Sequence, residues 1–320
     1  MSLQFASKRK KTLKKPKAKT QWSAYGYLAP AIVTISLLSI APIIYTIYIA
    51  FTNFNANHFL DYQFVGFDNF IKLFTPGSPL ASVFLPTLLW TFLYAILATF
   101  INYGAGLFLA VVLNNKGMKE SAIYRTLLII PWAVPGLISM LIWKGLLNTS
   151  FGQINGLLHS LFGMDPIPWL DSPMWAHVSI LLVSLWAGFP YMMSVCLGAL
   201  QSVPTEQYEA ASIDGATWFQ KFRSITMASV WKISLPLLIP TFAFNFNNFN
   251  AVYLLTGGDP ARTDNQFAGS TDILASAAYK MTLQFNRYDW AAAISIFLFA
   301  LVAILSLINM KFTRAFEEVD

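Results

Sequence analysis

The chain has 320 residues, of which 56% are hydrophobic and only 11% are charged, and its mean hydropathy is +0.54. Soluble domains carry about 25% charged residues, so this composition excludes a protein wetted on all sides and favours one that lipid partly covers. The net charge of +6 comes largely from eight Lys and Arg residues among the first 20, which we interpret as a solvated tail rather than a nucleic-acid-binding segment.

Six stretches are long and apolar enough to cross a bilayer, which takes about 20 residues per helix. They are Leu28–Phe51, Phe84–Leu113, Ala122–Leu147, Trp175–Leu200, Val230–Leu255 and Trp290–Met310. Strands of a membrane barrel would be near 10 residues long and would alternate in polarity. The sequence therefore predicts an all-α membrane protein, a bundle of six transmembrane helices, with a basic tail over residues 1–21 and a single transmembrane domain over residues 22–320.

The distribution of basic residues predicts the orientation of these spans. With the amino-terminal tail in the cytoplasm, 16 of the 21 Lys and Arg residues fall on the inner side and five on the outer side. Cytoplasmic loops carry the excess of Lys and Arg, so we expect both termini in the cytoplasm and the loop over about residues 201–228 on the same side.

Several classes of transporter and enzyme are disfavoured by what the sequence lacks. No carboxylate lies near the middle of a predicted span, whereas many ion-coupled carriers keep one there. There is no Gly-Lys dipeptide and hence no ATP-binding loop of the Walker A type. The single cysteine and three scattered histidines form no metal-ligand pattern. We expect a chain that is not an enzyme and binds no cofactor, so that uphill transport would take its energy from a partner.

The loop over residues 201–228 is predicted to contain two short helices. Ser202 is expected to cap the first helix, with Pro204 in its first turn, and Gly215 suits its end. Thr217 is expected to start the second helix. On physical grounds alone, an ordinary amphipathic surface helix and a docking element explain this loop equally well.

The pattern Glu-Ala-Ala-x-x-x-Gly over residues 209–215 resembles the EAA motif of ABC importer permeases. In that family the motif forms a coupling helix that docks on the ATPase subunit. The resemblance implies that role for five residues: Glu209, Ala210, Ala211, Asp214 and Gly215. Ala228 stands where the family pattern has a proline, which puts the usual kink at the start of span five in doubt.

Other segments are similar to the MalF-type permeases of maltose importers. They are Trp186–Tyr191, Phe242–Phe249, Leu254–Pro260, Ala268–Asp272 and Ala291–Ile294. The resemblance implies one permease subunit of an ATP-driven oligosaccharide importer, of maltodextrin type, in a bacterial or archaeal cytoplasmic membrane. It implies as partners a second homologous permease, two ATPase subunits that hold ATP and Mg, and an extracytoplasmic sugar-binding protein. The alternatives are a permease for an acidic or modified glycan, and a stand-alone secondary carrier or channel.

Four asparagines interrupt the fifth apolar span. At about 100° per residue, Asn245 and Asn248 share one face with Thr241 and Phe244, and we expect this face to line the pathway. Asn247 and Asn250 point elsewhere on such a helix, which predicts bonding between helices. Amides beside aromatic rings suit the hydroxyl groups and apolar faces of a sugar.

The family resemblance extends this predicted sugar site to the preceding span. In MalF-type permeases, the positions matching Thr241, Phe244, Asn245, Asn248, Ala187, Gly188 and Tyr191 line the sugar site. Ala187 replaces a leucine of the best-known form, which implies a roomier pocket. Five prolines within the spans predict hinges or static kinks: Pro131, Pro135, Pro190, Pro236 and Pro240.

Overall fold

The computed structural model describes residues 22–115 and 117–312, so the predicted tail over residues 1–21 lies outside the described residues. Within these ranges the chain is helical, and its only pairing of extended backbone is an isolated bridge between Thr52 and Phe64. The prediction of an all-α protein is confirmed. The α-helices in chain order are α1 (Trp22–Ile35), α2 (Ala41–Ala50), α3 (Asp68–Phe74), α4 (Pro79–Leu113), α5 (Ser121–Ala133), α6 (Gly136–Leu146), α7 (Gln153–Phe162), α8 (Pro173–Gln201), α9 (Thr205–Ile213), α10 (Trp218–Lys221), α11 (Ala228–Phe246), α12 (Phe249–Thr256), α13 (Leu274–Leu283) and α14 (Tyr288–Phe312).

The described residues divide into two units, with the boundary between residues 46 and 47. The described part of the first unit is one helical run, in which a π-helical turn over Ser36–Ile40 joins α1 to α2. Nearly all its side chains are exposed, and Leu38 is 74% accessible. Such a run is apolar on every side, as expected of a helix that lipid surrounds.

Five helical runs are long and apolar enough to span a membrane. They are Tyr25–Ala50, Pro79–Leu113, Pro173–Gln201, Trp218–Thr256 and Tyr288–Lys311. Helices α5 and α6 meet the same criteria only as a bent pair, with an angle of 91° between them. All six predicted apolar stretches are thus helical and five contain a single candidate span, while the third is a bent pair of helices. Val134, which precedes Pro135, is extended because proline disfavours a helical conformation in the residue before it.

In the second unit, the long helices α4 and α8 pack closely against each other. A Cβ atom on Gly106 of α4 would lie 2.6 Å from the backbone nitrogen of Met193 in α8. Only a residue without a side chain fits there, which is how small residues bring membrane helices together. α11 packs against both helices, and α14 packs against α11 and α13.

The fifth span is broken at its polar segment, which corrects the prediction of one helix over Val230–Leu255. α11 ends at Phe246, and α12 begins after Asn248, whose Oδ1 accepts a hydrogen bond from the backbone nitrogen of Ala251 at 3.2 Å. An asparagine in this position stabilises a new helix start. By contrast, Pro236 and Pro240 lie within α11 and do not end it.

α13 packs in the core and carries one partner of a buried ion pair. The carboxylate of Asp272 lies 2.8 Å from the ammonium of Lys280, and both side chains are buried. Asp272 also accepts hydrogen bonds from Ser276 Oγ and from the backbone nitrogen of Gly269, each at 2.7 Å. Burial raises the pKa of the Asp272 carboxyl, and Lys280 opposes that rise. This pair fixes the loop after α12 to α13.

Candidate functional site

A cavity of about 590 Å³ lies where the two broken spans face α4 and α8. This volume falls within the range of about 300–1,000 Å³ typical of ligand sites. Irregular backbone inside a membrane bundle is tolerated where it lines such a cavity. The lining residues are Asn102, Pro131, Trp132, Val134, Gly136, Ser139, Met140, Ser184, Ala187, Gly188, Tyr191, Met192, Pro240, Thr241, Phe244, Asn245, Asn248, Asn250 and Ala251.

All seven residues of the predicted sugar site line this one cavity. Helix α8 supplies three of them and the end of α11 supplies three more, while Asn248 lies at the break before α12. They are Ala187, Gly188, Tyr191, Thr241, Phe244, Asn245 and Asn248. The structure thus brings together side chains that are up to 61 positions apart in the sequence.

Several polar groups of the cavity are held in place by the protein itself. Asn245 is only 4% exposed, and its Nδ2 donates a hydrogen bond to Thr99 Oγ1 of α4 at 3.0 Å. The hydroxyl of Thr241 donates to the backbone oxygen of Leu237 at 2.8 Å. The hydroxyl groups of Ser184 and Tyr94 lie 3.0 Å apart. These bonds orient the lining groups before any ligand arrives.

Three aromatic rings line the cavity. Phe244 is 68% exposed and Tyr191 is 37% exposed, so both present ring surface. The third ring belongs to Trp132, whose centroid lies 6.3 Å from that of Tyr191. Trp132 was not predicted from the sequence, although its place between two prolines of one span was a signal that it lies at a helix break.

Asn250 also lines the cavity, which corrects the prediction that it points away. That prediction extended the periodicity of one helix through the whole polar segment. The break at Asn247 and Asn248 interrupts the helical periodicity, so the face calculated for α11 does not apply to α12. Asn247 is exposed at the end of α11 and is not among the lining residues.

The cavity wall is largely apolar, contains several polar groups and is neutral. Among the residues that the structure describes along its wall, none carries a charge. Sequence reasoning missed three further polar residues on this wall, Asn102, Ser139 and Ser184. Asn102 had a signal, since it is a lone amide in an apolar span. Ser139 follows the Pro135-Gly136 step by three residues, where the helix restarts.

The second candidate site is the loop between α8 and α11. It contains the two predicted short helices, α9 and α10, but Ser202 does not cap α9. Instead, Ser202 ends α8, and its Oγ donates to the backbone oxygen of Ala199 at 2.8 Å. Pro204 occupies the capping position of α9. As predicted, Gly215 follows the end of α9 with a left-handed φ of +75°, and Thr217 caps α10.

The loop presents an exposed surface on an internally bonded frame. Of the predicted docking residues, Glu209, Ala210, Asp214 and Gly215 are exposed and Ala211 is half-buried. Lys221 Nζ donates to Ser212 Oγ at 3.0 Å, and the hydroxyl groups of Tyr208 and Thr226 also lie 3.0 Å apart. These two contacts tie α9 to the segment that leads into α11.

Exposed apolar side chains surround the docking residues. Ile213 is 87% exposed, Trp218 68% and Phe219 60%. They were not singled out from the sequence, where this loop was interpreted through its capping residues and its EAA pattern. From α10, a π-helical turn over Phe222–Met227 continues directly into α11 at Ala228, so the backbone from Trp218 to Phe246 is one helical run.

The sequence is similar to curated sugar permeases. It is 40% identical over 299 residues to the galactooligosaccharides transport system permease protein GanP of Bacillus subtilis (strain 168), covering 92% of this chain and 71% of GanP. It is 40% identical over 253 residues to the maltose/maltodextrin transport system permease protein MalF of Escherichia coli (strain K12), covering 78% of this chain. The chain spans about half the length of the MalF relatives it matches.

The fold is also found in a solved transporter. A chain of the bacterial ABC transporter that imports the acidic polysaccharide alginate superposes with a TM-score of 0.72 at 24% identity, covering 93% of this chain and 96% of that one. The model of the family described as binding-protein-dependent transport system inner membrane component matches residues 102–317. The resemblance drawn from the EAA pattern is therefore confirmed, and the chain belongs to the family of inner membrane components of binding-protein-dependent transport systems.

Proposed function

We propose that this chain is one permease subunit of an ATP-driven importer, and that its cavity forms part of the pathway for a neutral oligosaccharide. The observation that carries the proposal is the composition of the cavity wall. Amides and hydroxyls stand beside the rings of Phe244, Tyr191 and Trp132, without a charged side chain among the described lining residues. Sugars present hydroxyl edges and apolar C–H faces, and this wall complements both.

The absence of charge along the described wall favours a neutral glycan over an acidic one. A carboxylate moved out of water into a site of low polarity requires a cation or several strong donors. The acidic substrate of the alginate importer does not transfer to this chain, because a likeness at 24% identity concerns the fold alone. The names of GanP and MalF instead support a neutral galacto- or maltooligosaccharide.

The loop that contains α9 and α10 is the proposed docking element for an ATPase subunit. Its exposed Glu209 and Asp214 lie beside exposed Ile213 and Trp218, a mixture of charge and apolar surface suited to a partner protein. Because α10 continues through the π-helical turn into α11, a movement of the loop reaches the cavity wall that carries Thr241 and the residues after it. ATP and Mg would be held by the partner, not by this chain.

The proposed importer contains further subunits, and this chain has a defined orientation in the membrane. A second homologous permease would close the other side of the pathway, two ATPase subunits would drive it, and an extracytoplasmic sugar-binding protein would deliver the substrate. Both termini would lie in the cytoplasm, as the distribution of Lys and Arg predicts. Membership of a binding-protein-dependent family disfavours the alternative of a stand-alone carrier or channel.

Uptake by the reconstituted complex tests the function. Vesicles that contain the chain with its partner subunits would be offered maltotriose, a β-galactosyl trisaccharide and a trisaccharide of uronic acids, with and without ATP on the side of the ATPase subunits. We expect ATP-dependent accumulation of at least one neutral trisaccharide and none of the acidic one. Uptake without ATP would refute the importer, and preferential uptake of the acidic sugar would refute the neutral substrate.

A further inference from the structure

We propose that Asn102 and Ser139 are further sugar-contacting residues, which bind hydroxyl groups at the part of the cavity wall that α4 and α6 supply. This inference rests on the proposed function and deepens it. Both residues line the cavity, and they are only 4% and 2% exposed. Asn102 Oδ1 and Ser139 Oγ have no hydrogen-bond partner among the described residues.

The missing partners distinguish these two groups from other polar groups of the same wall. Asn245, Thr241 and Asn248 each make a hydrogen bond within the protein. Buried polar side-chain atoms in folded proteins are nearly always paired. Two residues that line one cavity and each carry an unpaired buried oxygen therefore point to a ligand that supplies the pairing.

The position of Asn102 is set by its contact with α8. Its amide lies directly over Gly188, where a Cβ atom would stand 2.8 Å from Asn102 Cγ and closer still to Nδ2. The absence of a side chain at Gly188 leaves the space that the amide occupies. Asn102 is therefore held against the cavity by packing, while its Oδ1 stays unpaired.

The chemistry of the two oxygens suits a polyhydroxylated ligand. The amide oxygen of Asn102 only accepts hydrogen bonds, whereas the Ser139 hydroxyl both donates and accepts. A sugar hydroxyl can donate to the first and exchange a bond of either direction with the second. No carboxylate lies among the described lining residues, so a metal cation is a poor match for this pair of oxygens.

The test replaces each group in the reconstituted complex. Asn102→Leu keeps the size of the side chain without its polar atoms, and Ser139→Ala removes a single oxygen. Thr87→Val is the matched control, because Thr87 also lies in α4, is 2% exposed and has an unpaired hydroxyl, but does not line the cavity. The probe is whichever neutral trisaccharide the wild type transports with the lower KM.

We expect each cavity variant to raise the KM by about 2- to 13-fold, the value of one hydrogen bond, with the complex assembled at wild-type yield. The control should transport normally. A set of probe analogues, each lacking one hydroxyl, adds a measurement that a purely structural role would not change. The wild type should discriminate against the analogue that lacks the bonded hydroxyl, and the matching variant should lose that discrimination.

Unchanged KM and unchanged discrimination in both variants would overturn the inference while leaving the proposed function intact. The inference would also be overturned if the variants lower assembly but the assembled complexes transport as the wild type does, since the two oxygens would then pair with another subunit. If Asn102→Leu does not assemble, the KM and the analogue discrimination of Ser139→Ala alone test the inference. Failure of the wild type to transport any neutral sugar would instead refute the proposed function, and this inference with it.

Discussion

A methyl group at Gly188 should disturb the cavity wall, and the expected size of the effect follows from the structure. The new Cβ would lie 2.8 Å from Asn102 Cγ, closer than nonbonded carbon atoms approach in proteins. Asn102 is 4% exposed, so its amide has little room to move. Overpacking of this kind costs about 1–3 kcal/mol. Gly188→Ala should therefore destabilise the protein and raise the KM for the sugar.

Alanine substitutions at two other glycines provide comparisons for this prediction. Gly198 lies in the same helix with no atom near its Cβ position, so Gly198→Ala should be neutral or stabilise by about 0.4–1 kcal/mol through the unfolded chain. At Gly106 the new methyl group would meet backbone rather than a side chain, so Gly106→Ala should cost more than Gly188→Ala. The unfolding temperatures of the three purified variants in detergent would show whether their stabilities follow this order.

A double variant tests whether Asn102 is the cause. Shortening Asn102 to alanine removes the atoms that the new methyl group would meet, so Gly188→Ala should cost little in that background. Uptake should stay weakened, because the amide oxygen is then lost. If Gly188→Ala is as stable as Gly198→Ala, or if Asn102→Ala does not relieve its effect, the reasoning about this contact is wrong.

Three further predictions concern the buried ion pair, the loop and the topology. Asp272→Ala leaves the ammonium of Lys280 buried without its partner and should destabilise the protein by about 3–5 kcal/mol; thermal unfolding measures this, and an unchanged midpoint would contradict it. Gly215→Pro cannot adopt the φ of +75° found there, so membrane insertion should be normal while uptake is lost, and full ATP-dependent uptake would contradict the docking role. A thiol placed at Gly163 should react from outside intact cells and one at Lys119 should not, whereas the reverse pattern would show that the orientation is inverted.

Much of the fold and of the site was predictable because the relevant signals lie within single segments of the sequence. The length and polarity of the apolar runs located the spans. The resemblance to MalF-type permeases named seven residues from two spans, and the cavity contains all of them. Gly215 and Thr217 were predicted correctly from local backbone preferences.

The wrong predictions concern the position of a helix break and the assignment of a capping residue to one of two adjacent helices. The break in the fifth span comes at Asn247, where the side chain of Asn248 starts a new helix, and not at Pro236 or Pro240. An uninterrupted period of 100° per residue therefore misplaced Asn250. Ser202 was predicted to start α9 but ends α8, because both roles suit a serine at a helix junction.

A structure of the complete importer with a neutral trisaccharide bound would test the proposed sugar site most directly. We expect the sugar to lie in the cavity of this chain, with a ring face against Phe244 or Tyr191 and hydroxyl groups within hydrogen-bonding distance of Asn248, Asn102 Oδ1 or Ser139 Oγ. A sugar held elsewhere in the pathway, with this cavity closed or filled by protein, would contradict the central claim.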